Sequence, residues 1–208
     1  MEKILIKKNA DLTNIPADYK GKIIVDDAEE RILIDGNYNN VNIIGTSIVE
    51  IYSECIVKAF DNARVHIYDK CSIKAFDNAF VNAKDEAVIT AYDKVTVIAS
   101  DNTYVEAHDH TRIIADNQAK VYSYGEAGVE VRGTAYVEAY EDSNIYAFDE
   151  AKCVAHNYAM VIGNDNSKIS VTDFVEIRAF DDTIVSKNGN TENCVIDLHN
   201  NARIIDEE

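Results

Sequence analysis

Aspartate recurs at every eighth place in the middle of this chain: Asp61, Asp69, Asp77, Asp85, Asp93, Asp101 and Asp109. Carboxylates at fixed spacing can do two kinds of chemistry. As hard oxygen ligands they hold cations such as calcium. As turn residues they accept backbone N–H groups and tolerate a left-handed conformation. Asn117, Gly125 and Gly133 fill the same place further along, and such neutral gaps suit a turn better than a dedicated ion column. The expectation is therefore that each Asp caps its own turn, with only weak, non-specific cation binding.

Other reactive residues do not assemble in the sequence. The five histidines, His66, His108, His110, His156 and His199, are dispersed. There is no phosphate-cradling glycine loop, no C-x-x-C and no H-E-x-x-H. Acid pairs such as Asp181-Asp182 are explained by turn chemistry. No catalytic residue, metal ligand set or cofactor site is assigned. Of the four cysteines, Cys55, Cys71, Cys153 and Cys194, all fall at positions that read as inward, where reduced thiols act as small apolar groups.

The elements that carry these residues follow from the repeat itself. The octads DNARVHIY, DKCSIKAF, DNAFVNAK and DEAVITAY run on from Asp61, and the frame holds from Asn37 to Asn188, about nineteen units. Position one is mostly Asp, Asn or Gly. Positions three, five and seven are small or β-branched, as in Ala63, Val65 and Ile67 or Ala79, Val81 and Ala83. An apolar period of two is a strand with one buried face. One octad is then one short strand and one tight corner, and such strands bury their faces only by stacking. The fold predicted is all-β: a single-stranded parallel β-solenoid, with right-handed crossovers as the expected hand.

Position eight sets the number of octads per coil. Alternate octads give Phe60, Phe76, Tyr92, His108, Tyr124, Tyr140 and His156, a column of rings. The intervening octads give Tyr52, Tyr68, Lys84, Ser100, Asp116, Arg132, Phe148 and Asn164, a mixed column. Sorting by threes mixes the two, so a coil has two octads, about sixteen residues, and nine or ten coils stack to roughly 45 Å. The ring column is the candidate ligand or partner surface; its near-exclusion of charge points to packing over the corner. Apolar residues at outward positions, including Phe80, Ile98, Ile114, Tyr136, Tyr146, Met160 and Ile162, would mark a contact face if they clustered.

Three segments emerge. Residues 1–36 lack the octad and read as an N-terminal cap with short strands around Ile4–Ile6, Lys22–Val25 and Ile32–Ile34, with a turn at Asn14–Asp18. Residues 37–188 are the solenoid. Residues 189–208 begin with three extra residues, Gly189-Asn190-Thr191, expected to bulge as a loop, and resume as a final coil. The acidic end Asp206-Glu207-Glu208 would discourage end-to-end stacking.

The units Asp61-Asn62-Ala63 with Val65, Asp77-Asn78-Ala79 with Val81, and Asp101-Asn102 with Val105 and Ala107 resemble the octapeptide-repeat β-solenoids of bacterial and phage proteins, many of them tail- or surface-associated. The resemblance covers about three-quarters of the chain. It implies the architecture, and phage-particle or surface association as one setting. Lys84, Ser100, Asp116 and Arg132 depart from its aromatic position.

Charge narrows the partners. With 37 acidic against 20 basic residues the net charge is −17, which argues against nucleic acid and anionic membrane surfaces. No apolar run is long enough for a membrane span, and the N-terminus is too polar for a signal peptide, giving a cytoplasmic default. The function expected is a non-enzymatic structural or interaction module, a rigid spacer or display surface for an unidentified protein or glycan. The alternative is a carbohydrate-binding or adhesin-like module using the ring column. A polysaccharide-active enzyme ranks third, since β-helical lyases need larger loops than the one insertion here.

Overall fold

A computed structural model describes residues 2–16, 19–188 and 191–206. Ala17 and Asp18 of the expected proline turn, Gly189 and Asn190 of the expected loop, and Glu207 and Glu208 of the acidic end lie outside the described residues. The chain divides into two compact units, Met1–Tyr104 and Val105–Glu208.

The first unit contains β1 (Lys3–Ile6), a 3-10 turn at Asn9–Asp11, β2 (Lys22–Asp26), β3 (Ile32–Ile34), β4 (Val41–Ile44), β5 (Ile48–Ile51), β6 (Ile56–Ala59), β7 (Arg64–Ile67), β8 (Ser72–Ala75), β9 (Phe80–Ala83), β10 (Val88–Ala91) and β11 (Thr96–Ala99). Its two parallel sheets run β1-β2-β4-β6-β8-β10 and β3-β5-β7-β9-β11. β12 (Tyr104–Ala107) spans the division. The second unit contains β13 (Arg112–Ala115), β14 (Lys120–Ser123), β15 (Gly128–Val131), β16 (Tyr136–Ala139), β17 (Asn144–Ala147), β18 (Lys152–Ala155), β19 (Met160–Gly163), β20 (Lys168–Val171), β21 (Glu176–Ala179), β22 (Ile184–Lys187), β23 (Val195–Leu198) and β24 (Arg203–Asp206). Its sheets run β14-β16-β18-β20-β22-β24 and β13-β15-β17-β19-β21-β23.

Each unit is a parallel β-solenoid with two strands per coil. Partners such as Val65↔Val81 and Val129↔Ile145 are sixteen residues apart. The offset widens at Glu176↔Val195 and Ile184↔Arg203, where three residues have been added to the coil. Burial alternates as the period of two requires: Ala63, Val65, Ile67, Ala79, Val81 and Ala83 are all 0% exposed, and Arg64, His66, Phe80 and Asn82 between them face out. Position seven is alanine in most coils, with Ile51, Ile67, Val131 and Val171 among the exceptions, and where it is smallest the facing side chains fill the space. A Cβ on Gly163 would lie 2.6 Å from Ile169 Cδ1 and 2.9 Å from Thr183 Cγ2.

The corners rest on position one. Asp61, Asp69, Asp77, Asp85, Asp93, Asp101 and Asp109 have φ between +56° and +61°, in the left-handed region that Asp, Asn and Gly tolerate. Glu141 adopts it too, at +57°. The neighbouring N–H groups are accounted for by backbone carbonyls. Phe76 N–H donates to Ala59 (3.0 Å), Asn78 N–H to Asp61 (2.9 Å), and Ala79 N–H back across the turn to Phe76 (3.3 Å). The position-one N–H leaves this ladder, and a buried or half-buried N–H needs an acceptor. It finds one in the next coil. Asp61, Asp69 and Asp77 N–H donate to the carboxylates of Asp77, Asp85 and Asp93 at 3.1, 3.2 and 3.0 Å. In the second unit Gly133 N–H donates to Asp149 (2.9 Å), and Asp149 N–H to Asp165 (3.1 Å). This corrects the expectation of a carboxylate capping its own turn. The left-handed residue directs its N–H along the stacking direction, so the acceptor that can reach it belongs to the following coil.

The two ends differ. At the start, the Asn9 side chain imitates a peptide group against the free edge of β3: Leu33 N–H donates to Asn9 Oδ1 (2.8 Å) and Asn9 Nδ2 donates to Arg31 O (2.8 Å). Ile6, Ile23, Ile32 and Ile34 beneath are 0% exposed. In the final coil, Leu198 and Ile204, inward by position, are 37% and 38% exposed, because nothing among the described residues covers them. Cys194 is half-buried for the same reason, whereas Cys55, Cys71 and Cys153 are buried. Burial pushes the Cys71 thiol up to about 12, with Cys55 adding to the shift.

This geometry sets the outcome of three stability measurements. Val97→Asp places an unpaired charge in a dry strip and costs more than about 3 kcal/mol, while Thr96→Asp on the outer face stays within about 0.5 kcal/mol. Urea unfolding of the pair reads this, and equal losses would mean the inward frame is misplaced. Asp77→Gly keeps the corner but deletes the acceptor for Asp61 N–H, at about 1 kcal/mol; Asp77→Val adds left-handed strain for about 2 kcal/mol more. Because the carboxylates already accept N–H groups, calcium is expected to raise the melting temperature no further than sodium chloride at matched ionic strength.

Candidate functional site

The ring column predicted from position eight is present as stacked side chains, half-buried throughout. In the first unit Phe60–Phe76 and Phe76–Tyr92 centroids are each 5.2 Å apart, with planes within 10° of parallel. In the second unit His108–Tyr124 and Tyr124–Tyr140 are 5.1 Å apart and Tyr140–His156 4.7 Å. These spacings are set by the roughly 4.8 Å rise between paired strands. Stacking covers both faces of Tyr124 and Tyr140 and leaves their ring edges facing outward. The mixed column also holds local stacks that the octad reading did not single out: Tyr52–Tyr68 at 4.7 Å, and Phe180–His199 at 4.6 Å, between the coils on either side of the insertion. Arg132, which interrupts that column, lies over Phe148 at 6.0 Å.

In the second unit the column meets a carboxylate. Position six faces outward on the strand and lies two residues before position eight, so both side chains project on the same side. Glu138 accepts from Tyr136 Oη (3.0 Å) and from Tyr140 Oη. His156 Nε2 lies 3.4 Å from Glu138 Oε1, out of line for a hydrogen bond. The other imidazole nitrogen, Nδ1, is 2.7 Å from Thr172 Oγ1, which donates on to Asp173 Oδ2 at 3.3 Å. Tyr122 meets Tyr136 edge-on, centroids 6.4 Å apart. Glu138 and His156 side chains are only 22% and 23% exposed.

The electrostatics make Glu138 a fixed acceptor. Burial opposes its ionisation, but the hydroxyls of Tyr140 and Tyr136 and the imidazole of His156 outweigh that and hold its pKa below the ordinary range. The same bonds act in reverse on the phenols. Tyr140 is pushed up to about 12, first by its bond to Glu138 and then by burial. Tyr136 is raised further, burial leading and Glu138 following. A carboxylate held ionised by two hydroxyls is poorly placed to trade protons at neutral pH.

Glu138 and Thr172 were not singled out from sequence, and Tyr136 was read only as an outward apolar residue. Their signal is the Glu-x-Tyr pairing of positions six and eight, which recurs at Glu50-x-Tyr52, where Tyr52 Oη donates to Glu50 at 2.7 Å. The outward apolar residues distribute unevenly. Tyr146 and Ile162 are direct partners on adjacent strands, with Met160 beside them. At the corner, Tyr158 (66% exposed) and Phe174 (50% exposed) stack at 5.6 Å. No helix among the described residues is long and apolar enough to cross a membrane. Comparison with protein-family models, with characterised proteins and with solved structures returned no match.

Tyr124→Ala opens a gap between two stacked neighbours and is expected to cost about 1–3 kcal/mol, whereas Tyr158→Ala at the exposed corner costs less than about 0.5 kcal/mol. Thermal unfolding separates them. The depressed pKa of Glu138 contributes stability that is fully present above the unfolded value near 4.3 and is lost as pH falls through the lower folded value. Glu138→Gln lacks that titration, so the stability gap between wild type and variant should narrow on acidification below about pH 4. A pH-independent gap would show that ionised Glu138 contributes nothing.

Proposed function

We propose that this protein is a non-enzymatic interaction module, a β-solenoid framework that displays outward side chains in columns, one per coil. The observation that carries this reading is the state of its best-developed polar cluster. Glu138 is saturated by donors and its neighbours are stacked, so the cluster serves as a braced surface rather than as an acid–base pair. The repeat resembles that of the octapeptide-repeat solenoids of bacteria and phages, and the particle or surface association this resemblance implies fits a display role.

A carbohydrate-binding role for the ring column is less well supported. Sugars stack on ring faces, and in this column the faces cover one another. Any glycan contact there would run along ring edges and hydroxyls.

Incubation with polygalacturonate and with hyaluronate, followed by new reducing ends and the ultraviolet absorbance of unsaturated uronates, tests the leading reading. No turnover above buffer is expected from wild type or from Glu138→Gln. Turnover by wild type that disappears in Glu138→Gln would overturn it and restore the enzymatic alternative.

A further inference from the structure

A row of cations crosses one sheet of the second unit at the outward position four. Register pairs Lys120↔Tyr136, Tyr136↔Lys152, Lys152↔Lys168, Lys168↔Ile184 and Ile184↔Arg203 place these six side chains in one line. Lys152 and Lys168 are directly opposed on neighbouring strands. Like charges in that relation repel. The chain has 37 acidic residues against 20 basic ones, yet no carboxylate among the described residues lies within ion-pair reach of Lys152, Lys168 or Arg203. Lysine can be paired across coils, as Lys70–Glu86 is at 3.5 Å, but Lys58 and Lys74, opposed in the same way, have no such pair among the described residues, so it is the length of the row and the grooves beside it that set this face apart.

Grooves flank this row on both sides. The one toward position six, about 380 Å³, is lined by Tyr136, Lys152, Val154, Lys168, Ser170 and Ser186, and by no carboxylate. The one toward the corner, about 660 Å³, adds Asn166 and the carboxylates of Glu150 and Asp182. Ammonium groups, hydroxyls and an apolar floor suit a sugar acid. Spacing narrows the choice. Lys168 and Arg203 are two coils apart, roughly 10 Å, with apolar Ile184 between them. A strand-like acidic peptide repeats its same-face carboxylates every 6.8 Å or so and falls out of step with that column. Nucleic acid, with a phosphate on every nucleotide, sets more charge against Glu150 and Asp182 than a polymer charged at every second unit.

We propose that this face binds an acidic polysaccharide carrying a carboxylate on about every second sugar, laid across the strands along the Lys152–Lys168–Arg203 row. Its carboxylates pair with Lys168 and Arg203, the intervening ring covers Ile184, and Lys152 extends the track. This deepens the interaction-module reading and rests on it.

Isothermal titration of the full chain with a hyaluronate oligosaccharide tests the site, with a neutral chitin oligosaccharide, a heparin oligosaccharide and a single-stranded oligodeoxynucleotide as the other arms. Hyaluronate binding is expected, weakened at least about tenfold by Lys168→Glu and by Arg203→Glu, each tenfold being about 1.4 kcal/mol. Lys120→Glu, in the same row but outside both grooves, is expected to leave it unchanged. Lys168→Glu should not lower the melting temperature, since it relieves repulsion from Lys152. The proposal is overturned if wild type does not bind hyaluronate, if Lys168→Glu and Arg203→Glu bind it undiminished, or if chitin, heparin or the oligonucleotide binds more tightly. Shortening of the hyaluronate chain during titration would instead count against the non-enzymatic reading, leaving the groove as the binding track.

Discussion

A backbone held in the left-handed region at every eighth residue is the constraint on which the rest depends. It turns the chain through the corner and takes one N–H out of the ladder that satisfies its neighbours. The carboxylate one coil later accepts that N–H, as Asp77 does for Asp61. Wherever a carboxylate follows at the same position, the corner is thus completed by the next coil, and neighbouring coils are satisfied together. The same bond explains how carboxylates stack in a column without prohibitive repulsion. Each is held by a charge-assisted hydrogen bond, worth more than a neutral one. Where Gly125 takes the corner it supplies the conformation and an N–H but no acceptor, and Glu141 in the next coil still reaches that N–H at 2.6 Å.

With the corner fixed, the strand between has little freedom. Positions three, five and seven face an opposing sheet so close that position seven is held to alanine, serine or glycine over long stretches, and Gly163 has no space for a Cβ. The outer positions are released from that limit. They are free to carry stacked rings on one edge, a cation row on another strand face, and an aromatic pair at a corner. A framework whose core is monotonous and whose surface is not is suited to presenting side chains at a fixed pitch.

Most of the framework was legible in the residues because its determinants are local and repeated. The period of two gave Val65, Val81 and Val97 their burial, and the ring sorting at position eight gave the sixteen-residue coil seen in pairs such as Val65↔Val81. What was not legible depends on which residues the coil brings side by side. Asp77 and Asp61, or His156 and Thr172, are sixteen apart, and nothing in a window of one octad shows that their atoms meet. The Glu138 cluster was missed for a related reason: position six looks like ordinary solvated surface until the tyrosines at positions four and eight are seen to close on it. The Asn9 edge cap lies in the segment without a repeat, where periodicity gives no purchase.

The parity of the octads has a consequence for how such a gene can change. Every octad keeps the same inward positions, so losing one octad would preserve the core but send all following residues to the opposite sheet. Phe60 would then meet Lys84 in place of Phe76, and the ring column would end there. Losing two adjacent octads would set Phe60 against Tyr92 and leave the columns intact. Insertions and deletions are therefore filtered at two levels, by the core in steps of one octad and by the surface in steps of two. A lineage descended by duplication should vary in whole coils, and its length should record how many units of display its host has retained.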